Sequence, residues 1–258
     1  MEKEKTMYTI ESIQALLHTP LQFILRESVP STNTLLRTMA EDGAPEGTIL
    51  LSREQTAGRG RNGHSFFSPK DSGVYMSVLL RPTIPAEDAL RITTTAAVAA
   101  AEAIESAAAV PAQIKWVNDI FCRGKKVCGI LTEGKPNGDG RFRYVILGVG
   151  VNLNMPAEGF PAELQSIAGT LTDNADVQSA WIAGFLDSFF AYYQNLHDPD
   201  ILQKYRQRSY LQGKTVRVVG NDNVCGQVVG IDDAFHLLVR TEREILSLDS
   251  GEVRIQKL

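Results

Sequence analysis

The sequence predicts an α+β protein that ends in a small SH3-like β-barrel. Three observations lead there. Upstream of residue 211, long helical segments alternate with hairpin-like apolar runs. From Gly213 on, the short runs TVRVVG, CGQVVGID, FHLLVR, REILSL and EVRI follow at regular spacing, separated by Gly, Asn and Asp, the pattern of a small barrel. Arg143–Asn154 (RYVILGVGVNLN) is nearly all apolar, as a central strand buried on both faces would be. A boundary near 211–213 divides the chain into domains 1–211 and 212–258.

The elements follow in order. Residues 9–18 read as a short helix and Leu21–Val29 as a strand. Ser31 or Thr32 is a good N-cap for a helix carrying Leu35, Leu36 and Met39, which Gly43 ends. Gly47–Glu54 is a mostly apolar strand. Gly73–Leu80 is another, closed by Arg81-Pro82. Pro85 to about Ala109 is a long Ala-rich helix, interrupted by Glu102 and Glu105 as a soluble helix would be and stopped by Pro111. Strands follow at Ala112–Trp116, Ile120–Arg123 and Lys126–Glu133, with turns at Gly124-Lys125 and Asn137–Gly140. Asp176–Leu196 places Ile182, Phe185, Leu186, Phe189, Phe190 and Tyr193 at helical spacing. That stripe reads as a core face, with a cofactor groove as the alternative. A last helix covers roughly Pro199–Ser209.

Composition narrows the function. With 43% hydrophobic and 22% charged residues, the 258-residue chain can bury a sizeable core. A net charge of -4 and a pI of about 5.6 argue against bulk nucleic-acid binding. Cys122, Cys128 and Cys225 form no CxxC pair, which argues against zinc and a disulfide framework and fits reduced thiols in a cytoplasm. A thiol nucleophile is the sharper alternative to a small buried hydrophobe. The start MEKEKTMYTI lacks the apolar core of a signal peptide, and no apolar run of about 18 residues could span a membrane. His18, His64, His197 and His236 show neither metal spacing nor a GxSxG partner.

Four segments carry chemistry. In EQTAGRGRNGHSFFSPKDSG (54–73), Gly58, Gly60 and Gly63 alternate with Arg59 and Arg61. Ordering so glycine-rich a loop costs entropy, and guanidinium forks suit phosphate or carboxylate oxygens. The loop could close as a lid; a solvated surface loop is the plain alternative. Lys115-Trp116-Val117-Asn118-Asp119 puts a lysine at the end of an apolar strand, either aimed into a cleft or on an ordinary surface. Ser31-Thr32-Asn33 is explained by helix capping, yet a helix N-terminus also gathers groups able to bind an amide or urea. Gly148 and Gly150, inside a buried strand, mark the close approach of a ligand or neighbouring backbone. No third glycine opens a helix after them, so they make no dinucleotide fingerprint.

Taken in order, Ser-Thr-Asn (31–33), Gln-x-Ala-Gly-Arg-Gly-Arg (55–61), Lys-Trp-x-Asn-Asp (115–119), Gly-Ile-Leu-x-Glu (129–133) and Gly-x-Gly-x-Asn-x-Asn (148–154) resemble the biotin–protein ligases. The resemblance covers about Gln22 to Leu258. It implies a mixed sheet with helices on one face, like class II synthetases, followed by the SH3-like barrel. It also implies a two-step reaction: biotin and ATP form biotinyl-5′-AMP, then a lysine of a biotin carboxyl carrier protein takes the biotinyl group. By the same resemblance Lys115 and Arg61 are catalytic. Ser31, Thr32, Asn33, Gln55, Arg59, Gly60, Arg61, Lys115 and Gly129 meet biotin. Arg59, Arg61, Phe66, Asn118 and Asn152 meet ATP, and Mg2+ arrives with ATP without a protein cage.

The sequence departs from the family at Asn62 and His64, where Arg or Lys is common, at Val117, where Pro is usual, and at Phe66, where Trp is frequent. Arg254 and Lys257 are candidates for the basic residue that the barrel can bring near the nucleotide. The stretch before Ser31 is shorter than a winged helix-turn-helix needs, so no DNA-binding domain and no repressor role are expected. Exposed sheet edges would allow a homodimer. Lipoate–protein ligases and octanoyltransferases share the implied fold, but their Arg-Arg-x-x-Gly-Gly-Gly signature is absent. A non-enzymatic RNA-binding module is a reading of another class; steep salt dependence would mark it.

Overall fold

The computed structural model describes residues 8–172, 177–219 and 224–255. The first part of the chain folds as α1 (Ile10–Gln14), β1 (Gln22–Arg26), α2 (Thr32–Glu41), β2 (Thr48–Ser52), β3 (Gly73–Leu80), α3 (Ala89–Ala108), β4 (Gln113–Lys115), β5 (Asp119–Cys122), β6 (Lys125–Pro136), β7 (Phe142–Asn152), α4 (Val177–Tyr193) and α5 (Pro199–Gln207). The strands form one sheet in the order β1-β2-β3-β7-β6-β5-β4. Only β1 and β2 run parallel; the other neighbours are antiparallel. The sheet is therefore mixed, as expected.

Alternation along the strands sends successive side chains to opposite faces, and both faces are covered. Ile49, Leu51, Met76, Val78, Leu80, Leu147 and Val149 pack into the larger core with α3 and α4. Leu50, Leu79, Tyr144 and Ile146 face the other way, against Leu36 and Ala40 of α2. The expectation of helices on one face is thus corrected: α3 and α4 share a face, and α2 covers the opposite one. Burial on both sides explains why all eight residues of β3 are buried.

Alanines along α3 bring α4 close: a Cβ on Gly184 would sit 3.8 Å from the Cβ of Ala103. Trp181, Phe185 and Phe189 are fully buried and stack with centroids 5.5 and 5.8 Å apart, so the aromatic stripe is core. The long helix starts at Ala89 because Ala86–Asp88 form a 3-10 turn after Pro85, and it ends on Ala109 in the left-handed region (φ 53°).

The last part of the chain forms β8 (Thr215–Val219), β9 (Cys225–Ile231), β10 (Leu237–Arg240), β11 (Ile245–Leu248) and β12 (Glu252–Ile255). They make an antiparallel sheet in the order β11-β10-β9-β8-β12, where a five-stranded unit was expected. Its β9–β10 turn docks on the turn after β4 and on α5. Trp116 Nε1 donates to the Phe235 carbonyl at 2.9 Å, the Tyr205 ring meets Phe235 edge-on, and Arg206 Nε donates to Ile231 O at 2.8 Å.

Candidate active site

The cleft opens where the long loop after β2 folds back over β7, β6 and β5. Its walls include Ser31, Thr32, Asn33, Gln55, Arg59, Gly60, Arg61, Phe66, Lys115, Asn118 and Gly129. The structure thus gathers every residue expected at the site except Asn152. That residue closes β7, and its Nδ2 donates to Gly169 O at 3.3 Å, outside the cleft lining. Asn62 and His64, the two departures in the loop, also line the cleft, and Gly251, just before β12, and Val253 on it reach it as well. Arg254 follows Val253 on β12, on the opposite face by strand alternation, in register with Arg217. Lys257 lies outside the described residues.

One end of the cleft is neutral and hydrogen-bonded. Ser31 caps α2 through its side chain, which places Thr32 and Asn33 in the first turn over β3 and β7. Gln55 Oε1 accepts from Thr32 N (2.9 Å) and from Thr32 Oγ1 (3.1 Å), and Gln55 Nε2 donates to Ser68 Oγ at 2.9 Å. Ser77, buried on β3, lies 2.8 Å from Thr32 Oγ1 and 2.6 Å from Asn33 Oδ1. Asn33 Nδ2 donates to Glu133 Oε2 at 2.8 Å.

The floor is built by glycine. A Cβ on Gly148 would lie 2.2 Å from Asn33 Oδ1, and one on Gly150 would lie 2.6 Å from the Phe66 ring. Gly129 is the cross-strand partner of Gly150 and also meets that ring, at 3.2 Å from its missing Cβ. The expected close approach is therefore real, but the approaching groups are side chains of the site itself.

The Gly-Arg loop folds on its own hydrogen bonds. Gly60 N donates to His64 O (2.7 Å) and Phe66 N to Gly58 O (2.9 Å); Asn62 sits in the left-handed region at φ 53°. Arg59 forks onto Glu133, with Nη2–Oε1 at 3.0 Å and Nη1–Oε2 at 3.3 Å. Arg61 Nη1 donates to Asn118 Oδ1 at 3.1 Å.

The other end is cationic. Lys115 closes the three-residue strand β4, whose outer edge is held by Ile114 N to Arg208 O (2.7 Å) and Tyr210 N to Ile114 O (2.9 Å). The turn after it includes the cis peptide Trp116–Val117 at the position where Pro is usual. That turn is pinned on three sides: Trp116 by Phe235, Val117 O by the Tyr205 hydroxyl at 3.1 Å, and Asn118 by the Ile130 backbone. Lys115 Nζ lies 5.9 Å from the centre of the Phe121 ring and, among the described residues, makes no ion pair or hydrogen bond. Lys126, which sequence reading left in an ordinary strand, also lines this end. Its Nζ pairs with Asp119 Oδ1 at 2.6 Å.

Sequence reading missed Ser77, Glu133 as a partner of Arg59, Asp119 and Lys126. No local signal marks Ser77. The other three stand inside or beside recognisable motifs, with Asp119 and Glu133 at the ends of two of them. The two buried thiols are poor nucleophiles: burial pushes Cys122 up to about 11 and raises Cys128 further still.

Residues 25–152 match the Biotin/lipoate A/B protein ligase family. The chain is 35% identical over 242 residues to the bifunctional ligase/repressor BirA of Bacillus spizizenii, a match spanning 90% of this chain and 73% of that protein. It is 29% identical over 233 residues to the biotin–[acetyl-CoA-carboxylase] ligase of Mycobacterium tuberculosis, spanning 86% and 85%. The solved structure of biotin protein ligase from Aquifex aeolicus in complex with biotin and ATP has a TM-score of 0.75 to this one at 26% identity, covering 92% of this chain and 99% of that.

Proposed function

The chain belongs to the biotin–protein ligase family, and on that premise we propose that it joins biotin to AMP and passes the biotinyl group to a lysine of a biotin carboxyl carrier domain. A biotin carboxylate oxygen attacks the α-phosphorus of ATP as the bond to pyrophosphate breaks. The carrier's lysine amine then attacks the acyl carbon, an amide forms, and AMP leaves with the bonding pair. The observation that carries this reading is the division of one cleft: a neutral, hydrogen-bonded end at Ser31, Thr32, Asn33 and Gln55, and a cationic end at Arg61 and Lys115.

The neutral end suits a ureido ring, whose N–H and C=O groups need fixed partners once desolvated. Gln55 and Asn33 pair with other groups of the site, so their orientations are fixed by the fold. Arg61 and Lys115 face the reacting oxygens, with Asn118 holding Arg61. Arg59 and the Phe66 ring belong to the lid. Closure keeps water from the mixed anhydride, and the Phe66 ring on its glycine floor supplies the apolar cover. Asn152 contacts the nucleotide only if the end of β7 and its Gly169 partner shift.

Mg2+ enters this proposal as the ion that travels with ATP. Among the described residues no group of three or more His, Cys, Asp or Glu is placed to hold a metal; in this reading the ATP phosphates and water supply most of the ion's ligands. The free buried thiols suit a reducing cytoplasm, and no described helix is long and apolar enough to cross a membrane. The strand β1 is a sheet edge open to a second copy or to the carrier. The domain division at 211–212 belongs to the same proposal.

Incubation with labelled biotin, ATP, magnesium and an apo carrier domain tests the reading, with lipoate in parallel. Label on the carrier from biotin alone is expected; lipoate transfer without biotin transfer would reject it. The lid makes a second prediction. Amides of residues 58–68 gain protection from hydrogen exchange when biotin and ATP bind, and equal protection with and without ligands would remove the lid role.

A further inference from the structure

Lys126 has no part in the scheme above, yet it stands inside the cleft. Its stem runs over the floor, with Cε 3.2 Å and Nζ 3.3 Å from the place of a Cβ on Gly129. Its backbone is fixed on both sides: Lys126 N donates to Ile167 O and Gly169 N to Lys126 O, each at 2.8 Å. The side chain is therefore aimed along the floor by the fold. The ammonium pairs with Asp119, and the Lys126 side chain keeps 29% of its surface exposed, so an entering anion can reach the ammonium.

Position along β6 tells which substrate it meets. Asn33, at the neutral end, reaches the carbonyl of Leu131. Lys126 lies five residues before Leu131, roughly 16 Å at about 3.3 Å per strand residue, with the Phe66 ring over Gly129 between them. That distance takes Lys126 past a ligand head group bound at the neutral end and into the cationic end beside Lys115 and Asp119. A polyphosphate entering there brings more negative charge than Lys115 and Arg61 alone neutralise, and Arg59 is already forked onto Glu133.

We propose that Lys126 is a further ATP-binding residue of this chain, paired with Asp119 and turned to a phosphate oxygen when ATP enters. The inference rests on the ligase reading for its substrate. Its test is the affinity for ATP, measured by equilibrium titration with and without biotin, in the wild type, Lys126→Met and Lys126→Arg. Met keeps the stem on the floor and removes the charge. ATP affinity is expected to fall about 10- to 100-fold in Lys126→Met, the scale of one charge-assisted hydrogen bond, to recover in part in Lys126→Arg, and biotin affinity is expected to stay unchanged.

Unchanged ATP affinity, or an equal loss for biotin and ATP, would overturn the proposal. A double variant, Lys126→Met with Asp119→Asn, separates the lost cation from an orphaned carboxylate. It is expected to bind ATP as weakly as Lys126→Met, and recovery would overturn the proposal as well. A wild-type chain that binds ATP but never adenylates biotin removes the ligase reading and still lets these affinities decide Lys126.

Discussion

Lys115→Ala is expected to slow pyrophosphate release from biotin and ATP by at least about a hundredfold, the scale on which one fixed electrostatic donor acts, with the fold unchanged. The first step must bring a carboxylate against a phosphate. Two like charges roughly 4 Å apart repel by about 4 kcal/mol at an effective dielectric near 20, and a fixed cation between them removes that barrier. Lys115 suits the task because its surroundings leave it uncommitted. Arg59 has Glu133, Lys126 has Asp119, and Lys115 has, among the described residues, only the face of Phe121.

Its position costs little to keep. The strand β4 is held by its backbone and the following turn by Trp116, Tyr205 and Asn118, none of which uses the lysine side chain. The variant should therefore lose under about 1 kcal/mol of stability, as half-exposed positions without buried partners do. Lys115→Arg is not a conservative exchange here, since a planar fork replaces a compact charge, and it should restore little of the rate. Single-turnover pyrophosphate release with a parallel melting curve checks both. Wild-type release in Lys115→Ala would take this residue out of the mechanism.

How far the sequence alone reaches depends on the range of the interaction that decides each feature. The limits of β3 at Gly73–Leu80 were legible because an apolar run and its Arg-Pro stop are local. So was the helix beginning after Ser31, which a single cap sets. The face of the sheet that α2 covers was not legible. Its apolar stripe requires a partner but does not name one, and the choice is made by Leu50, Leu79, Tyr144 and Ile146 on three strands.

The site divides the same way. Gly148 and Gly150 announced that something comes close; that Asn33 and Phe66 are the visitors depends on contacts across roughly a hundred residues of chain. Asp119 read as part of the turn after Lys115 and Lys126 as the start of a strand, and only the antiparallel pairing of β5 with β6 brings them together in the cleft. Asn152 stood in a clear motif, yet its own side chain bonds Gly169, a segment whose return to β6 no local pattern foretells.

The second large effect is expected at Gly148, where Ala should both lower stability and weaken biotin binding. A methyl group there would lie 2.2 Å from Asn33 Oδ1 and 2.9 Å from its Cγ, well inside van der Waals contact. Asn33 cannot swing away freely, because its amide is held by Ser77 at 2.6 Å and Glu133 at 2.8 Å. Overpacking a fixed site of this kind costs about 1–3 kcal/mol. A displaced Asn33 also loosens Glu133, and with it the fork that places Arg59, so the neutral end and the lid are disturbed together.

Gly150→Ala makes the informative contrast. Its methyl group would meet the Phe66 ring at 2.6 Å, but that ring belongs to a surface loop that can lift without opening the core. Stability should then change by less than in Gly148→Ala, while protection of residues 58–68 by ligands is lost. Adding Asn33→Ala to Gly148→Ala removes the collision and should recover the melting temperature without recovering biotin affinity. Biotin titrations that fail to distinguish Gly148→Ala from the wild type would mean that Asn33 and its partners do not form the ligand's seat, whatever happens to the melting curve.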